Sequence, residues 1–253
     1  MLSSTVETSA YVEQIPIVRS FMEQLQKSKL HQLFDIHRDV FFTGTAAATM
    51  HHNFTHGLVI HTAEVWQAAQ AFVQAAPASE AACDRIAADD WYTMEELFNA
   101  VALHDFAKIV QYEPADSYTW TKVRMIANQE CWTLRELAKF GVELTDNELV
   151  GLLHAEGGYT EFDVEWRPLS AILHAADLWS SQAMKAVWNP AEAMSINCPR
   201  CNSPMRAING ANGLFYGCTK YMSGCRGTRD SGSTPPIEPI FLDWLKKMYP
   251  LAA

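Results

Sequence analysis

The sequence predicts a mainly α-helical protein: a helical bundle, then a small C-terminal β module, then a terminal helix. Three observations carry this. Apolar residues recur at three- and four-residue spacing through long stretches before residue 190. Two capping boxes mark helix starts. Four of the six cysteines crowd into 28 residues near the C-terminus, among turn-forming Gly and Pro.

The elements follow in order. Residues 11–38 read as helical, through Ile15, Val18, Phe21, Met22 and Leu25. Residues 39–56 read as irregular, with Gly44 and the His-rich run Met50-His51-His52-Asn53-Phe54-Thr55-His56. A helix is predicted over 57–75, and a loop or short turn over the Ala- and Asp-rich 76–90. Thr93-Met94-Glu95-Glu96 is a capping box and opens a helix running to about Ile109. Tyr118 to Val123 suits a strand or hairpin arm. Trp132 to Phe140 is helical and stops at Gly141. Thr145-Asp146-Asn147-Glu148, a second capping box, opens the helix carrying Leu149, Leu152, Leu153 and His154, which Gly157-Gly158 ends. Pro168 sits in the first turn of a long helix reaching Val187. Asn189-Pro190 marks a boundary, 228–236 a linker, and Ile237 to Tyr249 a last helix whose apolar face packs back on the body.

Composition sets the class. With 49% hydrophobic residues and 253 in all, the chain has ample apolar surface to offset its entropy, enough for one large domain plus a small module. The apolar runs fall short of a transmembrane helix, and Met1-Leu2-Ser3-Ser4 does not open a signal peptide. The expected setting is cytoplasmic, without membrane association. A net charge of −10 argues against indiscriminate nucleic-acid binding. That charge is uneven: residues 195–230 hold five basic side chains and one acid, a balance of +4, leaving −14 on the rest.

Of nine histidines, only His31 and His37 lie outside the segments that suggest a site. His61, the pair His104-Asp105, His154, and the pair His174 and Asp177 each sit in an apolar helical context. A single such His is ordinarily a satisfied core residue. Burying polar groups on four elements is costly unless they share a partner, and imidazole with carboxylate suits Mn, Fe, Co, Ni or Zn. His174 and Asp177 share a helix face, whereas His104 and Asp105 are adjacent, so a common ion requires helices to converge.

These residues resemble the HD-domain superfamily of metal-dependent phosphohydrolases. Ala102-Leu103-His104-Asp105-Phe106-Ala107-Lys108 is similar to that family's apolar-His-Asp-x-Gly-Lys signature, with Ala107 in place of Gly. His51 to Val65, with Leu-His-Ala-Glu-Gly-Gly at 153–158 and Ile-Leu-His-Ala-Ala-Asp at 172–177, resembles the HD domains of 3′→5′ exoribonucleases and HD-type conjugative relaxases. The likeness covers about residues 40–185. It implies that His61, His104, Asp105 and Asp177 bind a first metal. It also implies that Asp105 bridges to a second, held by His154 and His174, and that Lys108 stands near the phosphate. The competing reading of Lys108 is a helix-end surface lysine. Glu64 is either a partner to His61 or a surface glutamate; His51, His52 and His56 either meet substrate phosphate or shape their loop. The expected role of the metal is to activate water and neutralise phosphoryl oxygens, with Asp105 and Lys108 as the catalytic pair.

Cys198-Pro199-Arg200-Cys201, 16 residues, Cys218, six residues and Cys225 fit a tetrahedral structural zinc site. Residues 196–228 resemble the four-cysteine zinc ribbon repeated at the C-terminus of bacterial type I topoisomerases, which binds single-stranded DNA. On that resemblance Phe215, Tyr216 and Tyr221 stack on bases, or else pack the ribbon core, and Arg200, Arg206, Lys220, Arg226 and Arg229 meet phosphates.

The expected organisation is an HD-type domain over 1–190, a zinc ribbon over 191–231, and a linker with terminal helix over 232–253. The expected activity is phosphodiester hydrolysis in single-stranded DNA or RNA, as a nuclease or phosphodiesterase. The rivals are a nucleotide-level enzyme (a dNTP triphosphohydrolase or 5′-nucleotidase), a non-catalytic accessory protein of a phage or mobile element, and an HD-type di-iron oxygenase using the same six ligand types.

Overall fold

Proline and serine punctuate what the apolar periodicity alone would run together. A computed structural model describes residues 2–47, 51–75, 91–114, 120–122, 129–155, 165–187, 196–210, 213–230 and 237–251. The predicted helix over 11–38 is four helices: α1 (Leu2–Gln14), α2 (Pro16–Lys27), α3 (His31–Ile36) and α4 (Arg38–Thr43). Pro16 lacks the N–H that would continue α1, so it begins α2 instead. Ser28 ends α2, its hydroxyl donating to Leu25 O at 2.8 Å while accepting from Leu30 N at 3.2 Å. Helix α4 also occupies part of the stretch read as irregular.

Helix α5 (Gly57–Ala75) falls where the sequence places it, and its first turns are buried on every side, from Gly57 through Ala63. Helices α2, α4, α6 (Met94–Leu103) and α9 (Pro168–Val187) all pack against it. Between α6 and α9 come the antiparallel pair β1 (Tyr112–Pro114) and β2 (Trp120–Lys122), α7 (Gln129–Lys139) and α8 (Asp146–Leu153). Phenylalanines seal the bundle: Phe21 lies 5.4 Å from Phe98, and Phe34 lies 4.8 Å from Phe41 and 4.9 Å from Phe106, measured between ring centroids.

Both capping boxes are formed, at Thr93 with Glu96 and at Thr145 with Glu148. They are also joined, because the Thr145 hydroxyl donates to Glu96 Oε1 at 2.6 Å. Glu148 is 1% exposed and is matched by Lys29 Nζ at 2.6 Å and Asn99 Nδ2 at 2.7 Å.

The C-terminal module is the three-stranded antiparallel sheet β3 (Met205–Gly210), β4 (Gly213–Cys218) and β5 (Thr228–Asp230). Residues 228–230 are therefore a strand and not linker, because Phe215, Tyr216 and Gly217 pair with them. The module has its own small core of Ile196, Cys198, Met205, Tyr216 and Cys218. Helix α10 (Ile237–Met248) follows and packs against α1. Its Phe241 and Trp244 rings lie 5.2 and 5.5 Å from Phe54, so its apolar face does return to the body. The expectations for 76–90, Gly157-Gly158, Asn189-Pro190 and the linker over 231–236 lie outside the described residues, as does Cys83. Among the described residues, no helix is long and apolar enough to cross a membrane.

Gly57 is fixed by close approach. A Cβ there would lie 2.0 Å from the carbonyl oxygen of His52. Gly57→Ala is expected to cost about 3 kcal/mol, since backbone must move. A urea midpoint within error of the original sequence would refute it.

Candidate metal centres

The loop entering α5 holds two histidines in the left-handed region, His52 at φ 48° and His56 at φ 72°. Side chains other than glycine reach that region at a cost, so the surroundings must hold them there. Thr45 Oγ1 donates toward the carbonyls of His52 (2.9 Å) and Ala47 (2.6 Å), and His56 N bonds Thr43 O at 3.0 Å. His56 donates from Nδ1 to Phe42 O at 2.9 Å and accepts from Ser9 at Nε2, so it shapes the loop.

Burial lowers the His56 pKa to about 4, although its bond to Phe42 pulls the other way. The unfolded value is near 6.5. A histidine depressed in the fold contributes stability that is complete above pH 6.5 and lost as pH falls toward 4. Between pH 7 and 4.5 this one residue is expected to remove about 2–3 kcal/mol. Urea denaturation of His56→Gln should show a correspondingly shallower acid slope, and an unchanged slope would disprove the assignment.

The chain next brings His61, His104 and Asp105 together, with every ligand atom within 4.8 Å of the others. His61 Nε2 lies 3.3 Å from His104 Nε2, 3.3 Å from Asp105 Oδ2 and 3.0 Å from Asp177 Oδ1. His104 Nε2 lies 3.5 Å from Asp105 Oδ2 and 3.9 Å from Asp177 Oδ1. Adjacent residues on a regular helix point about 100° apart, and the helix does not continue to Ile109. It ends at Leu103, Asp105 leaves helical geometry (φ −111°, ψ 10°), and a 3₁₀ turn follows over Phe106–Val110. The break is what turns both side chains inward.

The donor set fits a divalent cation. His104 Nδ1 donates to Val101 O at 2.7 Å, which leaves Nε2 as the ligand atom, and His61 Nδ1 meets Ser180 Oγ at 3.0 Å. An Nδ1 held by an outer partner with Nε2 turned inward is how proteins prepare imidazole for a metal. Without a cation, the cluster balances itself. Burial disfavours the His61 cation, yet bonds and charge from Asp105 and Asp177 raise its pKa to about 9. Burial likewise opposes the carboxylates. At Asp105, Lys108 at 2.6 Å together with His104 and His61 outweighs it and holds that carboxyl well below the usual range, and His61 and His104 bring Asp177 to about 2.

His154 and His174 are not within that group. Their rings meet Trp166 instead, stacked at 4.5 Å for His154 and edge-on at 5.8 Å for His174. His174 Nδ1 donates to Ala155 O at 2.9 Å, which orients its Nε2 as well. A second trio, His51, His52 and His61, also has its ligand atoms within 4.8 Å of one another. Sequence spacing gave no sign that His51 and His52 fold back on His61; only their crowding in one loop hinted at it. Ser180 was missed as well, though it lies one turn beyond Asp177.

The four cysteines form the other cluster, compatible with one metal ion. Sγ of Cys198 lies 3.6 Å from that of Cys225, and Cys201 lies 3.4 Å from Cys218. Arg200 N and Lys220 N donate to the sulfurs of Cys198 and Cys218 at 3.4 and 3.3 Å, as in zinc knuckles. A Cβ on Gly227 would sit 2.2 Å from Cys198 Sγ. Bonds from Ser203 bring Cys201 down to about 6, while burial pushes Cys218 up to about 12.

No protein-family model, curated protein or solved structure matches the chain. The assignment of chemistry therefore rests on the residues.

On the ribbon, Arg200, Arg206, Lys220, Arg226 and Arg229 are exposed. A cavity of about 420 Å³ is lined by Arg206, Ile208, Phe215, Tyr221, Arg226 and Thr228. The Arg226 guanidinium lies 3.8 Å over the Tyr221 ring. Tyr216, by contrast, is 1% exposed in the ribbon core, so of the two roles read from sequence it takes the packing one.

Proposed function

We propose that the protein is a metal-dependent phosphohydrolase of the HD type that cleaves phosphodiester bonds in single-stranded DNA or RNA. The observation that carries this is the convergence of His61, His104, Asp105 and Asp177 on one point, with both imidazoles braced at Nδ1. Manganese, iron, cobalt, nickel or zinc suits such a donor set. A divalent cation there supplies polarisation of a phosphoryl oxygen and acidification of water. His61, His104, Asp105 and Asp177 hold it, and His154 and His174 hold a second in the two-metal form. Lys108 lies against Asp105, and in this reading it shares its charge with an arriving phosphate.

The ribbon, held by zinc on Cys198, Cys201, Cys218 and Cys225, supplies the strand contact. Phe215 and Tyr221 offer rings to bases, and Arg200, Arg206, Lys220 and Arg226 meet phosphates. The domains are 1–190 for hydrolysis, 191–231 for the ribbon and 232–253 for the tether and final helix. The excess negative charge on the body favours a second reading, a nucleotide-level phosphohydrolase, because a long polyanion is repelled there.

The test is a panel of single strands, duplexes and dNTPs with Mn(II). Shortened single strands support the first reading. Turnover of dNTPs alone moves the assignment to the second, and no turnover of either defeats both.

A further inference from the structure

Glu64 lies one turn beyond His61 on α5, and three side chains from distant parts of the chain converge on its carboxylate. Ser180 donates to Oε2 at 2.7 Å, His52 Nε2 stands 3.0 Å from the same oxygen, and the Tyr249 hydroxyl donates to Oε1 at 2.5 Å. With donors on both of its oxygens, the carboxylate accepts from all three.

The direction of each bond then follows from counting protons. Ser180 has one hydroxyl proton, and it is directed at Glu64. Its lone pairs are what face His61, so His61 Nδ1 must be the donor across that 3.0 Å. With Nδ1 protonated, a neutral His61 carries its lone pair on Nε2, the atom that faces Asp105 and Asp177. The other arm is fixed the same way. His52 donates from Nε2 to the Glu64 carboxylate, so in the neutral ring its Nδ1 accepts from His51 Nδ1 at 3.2 Å. Had Glu64 been absent, Ser180 could rotate its proton toward His61 and favour the opposite tautomer.

We infer that Ser180, Glu64 and Tyr249 are positioning residues for the metal centre, a hydrogen-bonded chain that presents His61 Nε2 to the ion. This rests on the reading of the His/Asp cluster as a metal centre. Its consequence is that Tyr249, the residue directly after α10, completes the centre from beyond the C-terminal module. Tyr249 is anchored for this by its own backbone, whose carbonyl accepts from Tyr11 of α1 at 2.8 Å. The Trp244 ring stands edge-on to it at 6.3 Å.

The test is Mn(II) affinity, measured by calorimetry on the full-length, zinc-loaded protein and on Ser180→Ala, Glu64→Gln and Tyr249→Phe. Outer partners of metal-bound histidine are generally worth about 10–100-fold in affinity. Ser180→Ala and Glu64→Gln should weaken binding about tenfold or more, Tyr249→Phe about threefold, and Ser180→Thr should restore most of the loss. A side chain that only stabilises the fold lowers the melting temperature and leaves the Kd of folded protein unchanged, so the two roles separate. Tyr249→Phe keeps the inference testable should a buried substitution fail to fold. If the unaltered protein binds Mn(II) and Ser180→Ala stays within fivefold of it, the positioning role is overturned and the metal centre stands. If the unaltered protein takes up no Mn(II), the metal centre itself fails and the inference with it.

Discussion

Asp105→Ala is expected to abolish divalent-ion binding at the helical centre and to lower hydrolysis on the order of a thousandfold, a loss typical of removing a principal electrostatic group. Asp105 is 3% exposed and makes ion pairs with His61, His104 and Lys108. Removing it takes from Lys108, whose side chain is 11% exposed, the carboxylate 2.6 Å away, and takes from His61 one of the two carboxylates within 3.3 Å. Breaking a buried pair from one side costs about 3–5 kcal/mol, so the metal-free protein should also be less stable. Asp105→Asn keeps the shape and separates the two effects: it should retain more stability and still lose the ion. The pH dependence has a definite sign. His61, raised to about 9 in the metal-free protein, must give up a proton to serve as a ligand. Affinity therefore climbs as pH rises toward 9 and levels off above it. Mn(II) titrations from pH 6.5 to 9 check this, and an affinity independent of pH would contradict the assignment of His61.

The second large effect is expected at the ribbon. Among the described residues its core contains five buried side chains, of which two are cysteines of the four-sulfur cluster. A module of about 35 residues is below the size at which an apolar core usually suffices without a cross-link or an ion. A structural zinc contributes about 10–16 kcal/mol to such a fold. Four thiolates this close repel one another unless a cation lies between them. Cys218→Ala, or a strong chelator, should therefore release one zinc per chain and unfold β3 to β5 while the helical body stays folded. Single-strand affinity should fall tenfold or more. Zinc release measured with a chromogenic chelator, beside circular dichroism and strand binding, decides it. A ribbon that stays folded without zinc would show that its small core suffices.

Local signals were legible wherever the physics was local. Capping boxes at Thr93 and Thr145, the helix opened by Pro168 and the cysteine spacing all announce structure within a few residues, and each is found. The breaks were harder. Apolar periodicity continues across Ile15 and Pro16 and across His104 and Asp105, so it predicts continuity where the backbone turns. At the second break the site itself explains the departure, since two neighbouring side chains must reach one point. The strand over 228–230 was hidden because its residues read as linker in composition and become a strand only through pairing with β4. Partners far apart in sequence were least legible. Glu64 could be suspected from its position one turn after His61, yet nothing near it announces Tyr249, 185 residues away.

That separation has a consequence for biosynthesis. Residues 61, 104, 105 and 177 leave the ribosome well before Tyr249, so the nascent body can gather its histidines and carboxylates while Glu64 still lacks its last hydrogen-bond donor. If Tyr249 braces the centre as inferred, the brace is complete only once residue 249 has been made and α10 lies against Phe54 and α1. On that inference, a chain cut short before residue 249 carries the His/Asp cluster without the Tyr249 brace on Glu64.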